Sequence, residues 1–308
     1  AIVKDGAGVG RAALYPANSS VIGTMQYLLP KDNVLPKYLF YVVSYMHLEK
    51  YYTGATIPHI YFKDYKNEEF NLDLLERQAE IVEILEKCEK IIEKRKQEIQ
   101  LLDQLIKARF VEMFGNPVLN DKGWEQKSLG EITTKIGSGA TPKGGKEAYQ
   151  EEGITLIRSM NVHNGQFEYK DLAHISDEQA SKLDNVTIEE DDVLLNITGA
   201  SVARSCVVPN EILPARVNQH VCIIRCKDCI IPEFLNKLLI DDNYQDLLWS
   251  IAGSGATRES ITKQQVENLQ IILPMLELQK EFMAFCHQVT KSKLLEFSSL
   301  QNHTGMLQ

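Results

Sequence analysis

The sequence predicts an α+β protein in which compact mixed modules alternate with long helices that pair as an antiparallel coiled coil. Two observations predict this class. One stretch of the chain occurs twice, and each copy runs into a long amphipathic segment. Short apolar stretches separated by glycine-rich turns lie between those segments, as is typical of strands. The 308 residues suffice for two modest domains.

An internal repeat is the most informative feature of the chain. The matched pairs, in order, are Gly6–Arg11 with Gly199–Arg204, Pro16 with Pro209, Gln26 with Gln219, Leu35–Leu39 with Ile231–Leu235, Gly54–Thr56 with Gly255–Thr257, Ile60 with Ile261 and Leu75–Gln78 with Leu276–Gln279. Ala1 corresponds to about Leu194, so the first copy lacks the equivalent of residues 127–193. The chain begins at Ala1 rather than at methionine, as expected of a fragment or a processed protein.

Two long helices are predicted from apolar periodicity. From Leu74, apolar residues recur at alternating spacings of four and three, with Arg95 in one apolar position, until Gly115 and Pro117 end the helix. At about 1.5 Å per residue, this helix would be roughly 60 Å long. Its seam is Ile81, Leu85, Cys88, Ile92, Ile99, Leu102, Ile106 and Met113. The second helix begins near Leu276, and its apolar stripe is Phe282, Phe285, Val289 and Phe297.

Between the long helices, periodicity predicts strands and short helices. The strands are residues 154–157, 192–197 and 217–224, and the short helices are residues 177–183, 233–239 and 263–268. The predicted domains are a partial first module (1–72), a central helix (73–115), a complete second module (116–273) and a second helix (274–308).

Charge and hydropathy restrict the classes of function. The net charge of −9 argues against a broad basic surface, although much of it lies in Glu/Lys-rich helical stretches. Contacts to phosphates are therefore expected to be few, or to come from a partner. No apolar run is long enough to span a bilayer, and the N-terminus lacks a signal pattern. A cytoplasmic protein without membrane contact is predicted.

The six cysteines show no disulfide framework, which predicts a reduced protein. His220, Cys222, Cys226 and Cys229 could form a zinc site or could be residues of a strand with buried cysteines. The cluster lacks the two short ligand pairs of a zinc finger. Buried cysteines are therefore the preferred interpretation, and no metal is predicted.

Three partial motifs do not support a cofactor or a catalytic site. Residues 6–10 lack the GxGxxG spacing of a dinucleotide fingerprint, and residues 144–147 lack the first glycine and the Ser/Thr of a P-loop. Residues 116–119 lack the second proline and the aromatic residue of the motif of DNA amino-methyltransferases. No cofactor and no catalytic residues are predicted.

The order of module, helix, module and helix resembles that of the specificity subunits of type I restriction–modification systems. Local motifs agree with this resemblance: residues 123–125, 129–132 and 137–142 as the opening of a target-recognition domain, 218–220 and 253–257 as its later motifs, and 271–279 as the entry into a long helix. The resemblance covers nearly the whole chain. In the first copy, Asp73 stands where the pattern has proline.

The resemblance implies a non-catalytic subunit that binds double-stranded DNA. In that family, two target-recognition domains read the two halves of a split site. The helices set the spacing of these domains and dock two methyltransferase subunits, which connect to the restriction subunits. The chain alone is then expected to transfer no methyl group and to cut no DNA.

Polar loops rather than strands are the candidate DNA-reading elements, because Arg, Lys, Asn, Gln, Ser and Thr side chains can read base edges. The candidates are Ser138, Thr141, Lys143, Lys146, Arg158, Ser159, Asn161, Arg204, Gln219, Ser254, Thr257 and Arg258. Arg204 and Gln219 recur as Arg11 and Gln26, which favours a role in the scaffold or in backbone contacts. For each candidate, an ordinary solvated turn is an equally good interpretation.

Two other classes of function are compatible with the sequence. The chain could be a DNA methyltransferase with a fused recognition domain, and binding of a methyl donor would favour that class. It could also be a coiled-coil assembly protein whose modules bind proteins. Binding to DNA without sequence preference, with partners present, would favour the latter.

Overall fold

A computed structural model describes residues 1–54, 57–253 and 259–305, without the side chains of Lys146 and of residues 296–305. The chain divides into two compact units. Unit 1 comprises Ala1–Leu101 and Lys293–Gln308, and unit 2 comprises Leu102–Ser292.

Unit 1 is small, with few strands. Its elements are β1 (Ile2–Val3), β2 (Met25–Gln26), α1 (Pro36–Tyr45), α2 (Phe62–Tyr65), a 3₁₀ turn at Leu48–Tyr51 and the first part of α3 (Leu75–Phe114). Strands β1 and β2 pair antiparallel. Proline starts α1, where its fixed φ suits a first helical turn. The core of the unit is Ile2, Val43, Leu48, Ile60 and Tyr65.

Unit 2 contains the remaining elements. These are β3 (Gln126–Ser128), β4 (Thr133–Ser138), β5 (Ile154–Ile157), β6 (Val162–His163), β7 (Gln166–Phe167), β8 (Ala173–Ile175), α4 (Asp177–Ser181), β9 (Val193–Asn196), β10 (Ser205–Val207), β11 (Ala215–Val217), β12 (Val221–Cys226), α5 (Pro232–Leu239), α6 (Asp242–Gly253), α7 (Lys263–Glu267), β13 (Gln270–Ile272) and the first part of α8 (Leu276–Gly305). Short 3₁₀ turns occupy Gly145–Ala148, Ser159–Asn161, Asp184–Val186, Gly199–Ser201 and Asn210–Ile212.

Two sheets organise unit 2. One is antiparallel with the order β10-β9-β12-β4, and the other has the order β11-β5-β8, with β11 and β5 parallel. Strand β9 is buried along its whole length because both of its faces meet apolar cores: Val193 and Leu195 face one core and Leu194 faces the other. The predicted α+β class is confirmed.

One predicted strand was wrong. Residues 217–224 form the end of β11 and the start of β12, which belong to different sheets. A turn at Asn218–His220 separates them, in which the Asn218 side chain accepts a hydrogen bond from the His220 amide (3.0 Å). The apolar run is continuous in sequence because both strands are buried, so periodicity alone does not reveal the turn.

The seam predicted for α3 is confirmed in part, because Val82, Phe110 and Phe114 are buried and were not in it. In α3 the seam positions are half-buried or buried, whereas neighbours such as Ile84 and Leu101 are 55% and 60% exposed. Helix α3 begins in unit 1 and ends in unit 2, and α8 begins in unit 2 and ends in unit 1. None of the described helices combines the length and apolar composition needed to cross a membrane.

The internal repeat is present in the backbone hydrogen bonds. The matching bonds, first copy before second, are Val3 N to Arg11 O (2.9 Å) with Asn196 N to Arg204 O (2.8 Å), Gly10 N to Val3 O (2.8 Å) with Ala203 N to Asn196 O (2.9 Å), Gly6 N to Pro58 O (2.9 Å) with Gly199 N to Glu259 O (2.9 Å), and Ile60 N to Lys4 O (2.9 Å) with Ile261 N to Ile197 O (2.8 Å). Even the left-handed corner recurs, with φ of +86° at Gly10 and +71° at Ala203.

A buried glutamine also recurs. Gln78 and Gln279 are both fully buried at the start of their long helices. Each accepts a hydrogen bond from the residue before a helix-starting proline: Leu35 N at 2.8 Å from Gln78 Oε1, and Ile231 N at 2.9 Å from Gln279 Oε1. Each also donates to two backbone carbonyls, those of Asn33 and Asp73 in unit 1 and those of Cys229 and Pro274 in unit 2. The two amides therefore tie equivalent loops to equivalent helices.

The alignment of Gln26 with Gln219 was wrong. Lys4 N donates to Thr24 O (2.9 Å), whereas the equivalent Ile197 N donates to His220 O (2.9 Å). Thr24 therefore occupies the place of His220. The second copy has 15 residues between Arg204 and His220 and the first has 12 between Arg11 and Thr24, so the insertion precedes this point. The recurrence of Arg11 and Arg204 stands.

Candidate nucleic-acid interface

The ends of several strands of unit 2 meet at one edge. Strand β12 is antiparallel to both β4 and β9, so the start of β12 lies beside the last residues of the other two. Strands β5 and β11 are parallel and end together, and Asn218 N donates to Ile157 O (3.0 Å). The loops at residues 138–141, 158–159, 196–204 and 218–220 therefore lie together, and we call them the loop edge.

A glycine allows two of these loops to touch. Gly139 N donates to Asn218 O (3.1 Å). A Cβ atom at Gly139 would lie 1.7 Å from the carbonyl oxygen of Val217. Only glycine permits this approach of the two backbones. The contact holds the exposed Thr141 beside the exposed Gln219.

Four side chains of the loop edge form a hydrogen-bonded chain. Thr141 donates to the Gln219 side-chain oxygen, and Gln219 Nε2 lies 3.0 Å from Nε2 of His220. With Gln219 as donor, His220 Nε2 accepts, and its Nδ1 is left to donate to Thr198. The chain orders polar groups from three separate loops, and Thr141 and Gln219 are exposed at its outer end.

Thr198 connects this chain to a further segment. It forms an isolated β-bridge with Ser260, and the neighbouring Gly199 N donates to Glu259 O (2.9 Å). Residues 259–261 therefore run along the loop edge. The predicted contacts Ser254, Thr257 and Arg258 lie outside the described residues.

The loop after β5 uses most of its polar groups in contacts with other parts of unit 2. Arg158 lies over the ring of Tyr149, with 5.4 Å between the guanidinium carbon and the ring centroid, and donates to the carbonyl oxygen of Asp171. Ser159 presents its carbonyl to the Asn196 amide (2.8 Å). Asn161 is fully buried, and its amide donates to the carbonyls of Glu168 (3.0 Å) and Lys170 (3.2 Å). Asn161 thus shapes the loop from inside.

Three other candidate DNA-reading residues are more exposed to solvent than Asn161. Ser138 is exposed at the end of β4, and Lys143 is exposed in a turn that Gly145 N closes onto Pro142 O (3.0 Å). Lys146 lies in the following 3₁₀ turn, and its side chain is outside the described part. Arg204 is half-exposed where the chain enters β10.

Burial keeps three cysteines on β10 and β12 in the thiol form. Burial raises the pKa of both Cys222 and Cys226 to about 12, and the pKa of Cys206 on β10 to about 12. Across residues 1–54, 57–253 and 259–305, no three His, Cys, Asp or Glu side chains are grouped to hold a metal ion. Thiols in this state are poor ligands and poor nucleophiles at neutral pH.

The raised pKa values of Cys206, Cys222 and Cys226 should slow their reaction with thiol reagents. At pH 8 a group with a pKa of about 12 is ionised at about one part in ten thousand. We expect native protein to react with a thiol reagent at the half-buried Cys88 long before Cys206, Cys222 and Cys226 react. Peptide mapping by mass spectrometry after timed labelling measures the order, and urea-unfolded protein is the control. Equal rates for all four in the native protein would contradict this assignment.

Sequence reasoning missed two partners at the loop edge. Thr198 and His220, which contact each other, were not among the candidate DNA-reading residues. Proximity in sequence to Gln219 was the available signal for His220. Thr198 had none, because its role depends on β9 and β12 being neighbours.

Comparison with known proteins gives a consistent family. Residues 2–102 and 121–301 match the family described as type I restriction modification DNA specificity domain. The specificity subunit of the type I restriction enzyme MjaIX of Methanocaldococcus jannaschii is 25% identical over 278 residues, which are 83% of this chain and 62% of that protein. This chain thus spans less than two thirds of that relative's length.

Solved structures share the fold. A chain from a structural study of complex assembly and conformational transition in a type I R-M system superposes with a TM-score of 0.61 at 21% identity, over 90% of this chain and 70% of that one. The S subunit of a type I restriction–modification system from M. genitalium gives 0.54 at 16% identity, over 88% and 70%.

Proposed function

Because this chain belongs to the family of type I restriction modification DNA specificity domains, we propose that it is the non-catalytic subunit that reads the DNA target of a type I restriction–modification complex. The observation that carries the proposal is the loop edge. It gathers exposed donors and acceptors from loops far apart in sequence, inside the second stretch that matches the family.

The chemistry of the loop edge suits recognition of base pairs. A major groove about 12 Å wide presents donors and acceptors that Lys, Gln, Ser and Thr side chains can pair with. Thr141 and Gln219 are preordered by their mutual hydrogen bond, and Lys143 stands exposed beside them. We put these three forward as base-reading groups. Asn161 is not among them, because its amide is buried and bonded to the backbone.

The proposed domain plan follows the sequence prediction. Residues 116–273 form one target-recognition domain and residues 1–72 part of another, and each reads one half of a split site. Helices at 73–115 and 274–308 set the spacing and dock two methyltransferase subunits, through which the restriction subunits join. Their faces away from the packed seam carry exposed apolar residues suited to docking, among them Ile84, Leu101 and Leu105.

Substituting Lys143 with alanine tests the proposal. If Lys143 reads a base, selection relaxes at particular base pairs of one half-site, with about 1–3 kcal/mol lost for the preferred base. If it contacts a phosphate, all sequences bind more weakly and the dependence on salt becomes shallower. The measurement is the affinity of the assembled complex, with its methyltransferase subunits, for a panel of single-base variants at two salt concentrations.

Lys182→Ala is the matched control. Lys182 is an exposed lysine just after α4, and α4 follows β8. Because β8 is antiparallel to β5, the end of β8 lies beside the start of β5, away from the loop edge. Its removal should leave both affinity and base preference unchanged. A Lys143 variant indistinguishable from this control would remove Lys143 from the reading surface, and a Gln219→Ala variant that also matched it would argue against the loop edge as a whole.

A further inference from the structure

Asn196 is a buried amide within the loop edge. It is the last residue of β9, pairs with Val221 at the start of β12, and is fully buried. Its backbone belongs to the left-handed corner, because Asn196 N donates to Arg204 O (2.8 Å) and Asn196 O accepts from Ala203 N (2.9 Å). Its side chain contacts a different part of unit 2, the loop after β5.

The Asn196 amide nitrogen binds two carbonyls of that loop. Nδ2 donates to Ser159 O at 2.8 Å and to Val162 O at 3.4 Å. Ser159 O also accepts a hydrogen bond from Val162 N, which closes the 3₁₀ turn at Ser159–Asn161. One amide therefore anchors the start and the end of this turn to β9.

The amide oxygen of Asn196 is buried without a donor. Of the residues that the structure describes, none donates a hydrogen bond to Oδ1. Asn161, by contrast, uses both ends of its amide, since its Oδ1 accepts from Arg158 N (3.1 Å) and its Nδ2 donates to two carbonyls. A buried acceptor without a donor costs free energy of folding. Stability alone therefore does not explain an asparagine at position 196.

The first copy of the repeat shows that the corner does not need this amide. Val3 occupies the same place, with Val3 N donating to Arg11 O (2.9 Å) and Val3 O accepting from Gly10 N (2.8 Å). The backbone bonds of the corner are thus present with either side chain. What asparagine adds in the second copy is the anchoring of the loop after β5.

Two buried amides fix this loop against different elements. Asn161 binds the carbonyls of Glu168 and Lys170, just after β7, whereas Asn196 binds the loop to β9. Because β9 pairs with β12, the Asn196 contact connects the loop to the turn at Asn218–His220. Groups that recognise a ligand must be held within about 0.5 Å of the productive geometry. The Asn196 amide is placed to provide this constraint.

We propose that Asn196 is a positioning residue, which holds the loop after β5 in the orientation in which Ser159 and Met160 contact bases of one half-site. Ser159 is half-buried and Met160 is 42% exposed. A serine hydroxyl can pair with base edges, and an exposed apolar side chain can contact the methyl group of thymine. This role rests on the proposed function, and Asn196 acts through the loop because it is itself fully buried.

Asn196→Val tests the role, because valine stands at the same place in the first copy. In the assembled complex, we expect the preference for the best base to fall by about fivefold or more at one or two adjacent base pairs, with the rest of the target unaffected. In the free chain, amide exchange at residues 161 and 162 should become about tenfold faster or more, whereas exchange at Ala203 should not change. The measurements are affinities for single-base variants and hydrogen exchange followed by NMR.

Asn236→Val is the matched control. Asn236 is another buried asparagine, on α5, and its amide donates to Ser205 Oγ (2.9 Å) on β10. Its substitution should lower the unfolding midpoint in urea and leave both the base preference and the exchange at residues 161 and 162 unchanged. If Asn196→Val weakens binding to all sequences by one common factor, as a loss of stability would, the amide is only structural and the proposal is wrong.

Substituting the side chains of the loop keeps the test independent of how well Asn196→Val folds. Ser159→Ala with Met160→Ala should retain the fold and lose preference at the same base pairs. Adding Asn196→Val to this double variant should change the preference no further, because the amide acts through the loop. Unchanged preference in the double variant would overturn the proposal.

The two readouts separate this proposal from the proposed function. Amide exchange is measured without DNA, so unchanged exchange at residues 161 and 162 in Asn196→Val would refute the anchoring by Asn196 alone. An unsubstituted complex that shows no base preference would instead refute the proposed function.

Discussion

Replacing Gln279 with leucine should lower the free energy of unfolding of unit 2 by about 3 kcal/mol. The substitution keeps the size of the side chain but removes one acceptor and two donations from a fully buried site. The amide of Ile231 and the carbonyls of Cys229 and Pro274 then lose their partner, at about 1–3 kcal/mol for a group that stays buried. The Ile231 amide and the Cys229 carbonyl are only partly buried, so water can replace part of the lost hydrogen bonding and the total cost stays near the lower limit of the sum.

Urea unfolding followed by tryptophan fluorescence measures this effect. Both tryptophans, Trp124 and Trp249, lie in unit 2, so their signal reports on that unit. Gln288→Leu, an exposed position on the same helix, is the matched control and should change stability by less than about 0.5 kcal/mol. The glutamine has no special role if both variants shift the midpoint equally.

Phe282→Ala should cost still more, about 3–5 kcal/mol. Its ring lies 5.6 Å from that of Phe110, 5.4 Å from that of Phe114 and 6.3 Å from that of Phe234, measured between centroids. All four rings are almost fully buried. The substitution opens a cavity where α3, α5 and α8 meet, and removes edge-to-face ring contacts as well as buried apolar surface.

Phe285→Ala separates the core from the surface of the same helix. Phe285 is half-buried and lies beneath the Arg109 guanidinium, 6.0 Å from its central carbon. Its loss should cost about 1 kcal/mol. The measurement is again the midpoint and slope of urea unfolding. Equal losses for the two phenylalanines would mean that the four-ring cluster can collapse around the missing side chain.

The long periodic helices were predictable from the sequence, whereas helix α6 and the turn at 218–220 were not. The long helices follow from apolar residues repeating every three or four positions, and the seam predicted for α3 is half-buried or buried. Phe110 and Phe114, which are more deeply buried, were not assigned to that seam. Helix α6 was missed, although Tyr244, Leu248 and Ala252 are buried at helical spacing. The turn at 218–220 escaped because both flanking strands are buried on both faces.

For the candidate site, the sequence indicated which loops to consider but not how each side chain is used. Ser138, Thr141, Arg158 and Gln219 come from separate loops, and strand pairing brings those loops together. Whether a polar side chain faces outward depends on contacts outside its own loop. Asn161 shows this, because the carbonyls that bind its amide lie beyond the β6–β7 hairpin. No local sequence pattern around residue 161 predicts these hydrogen bonds.

The left-handed corner at Gly10 and Ala203, which both copies share, affects which substitutions the protein can tolerate. Its geometry is defined by backbone amides and carbonyls, and glycine in one copy and alanine in the other adopt the same left-handed conformation. Side chains that point away from this frame can therefore be exchanged without loss of any of its bonds. In a protein proposed to discriminate among base sequences, mutations can therefore change the exposed side chains while the backbone that positions them stays the same. New preferences can then arise through surface substitutions, which usually change stability by about 0.5 kcal/mol or less.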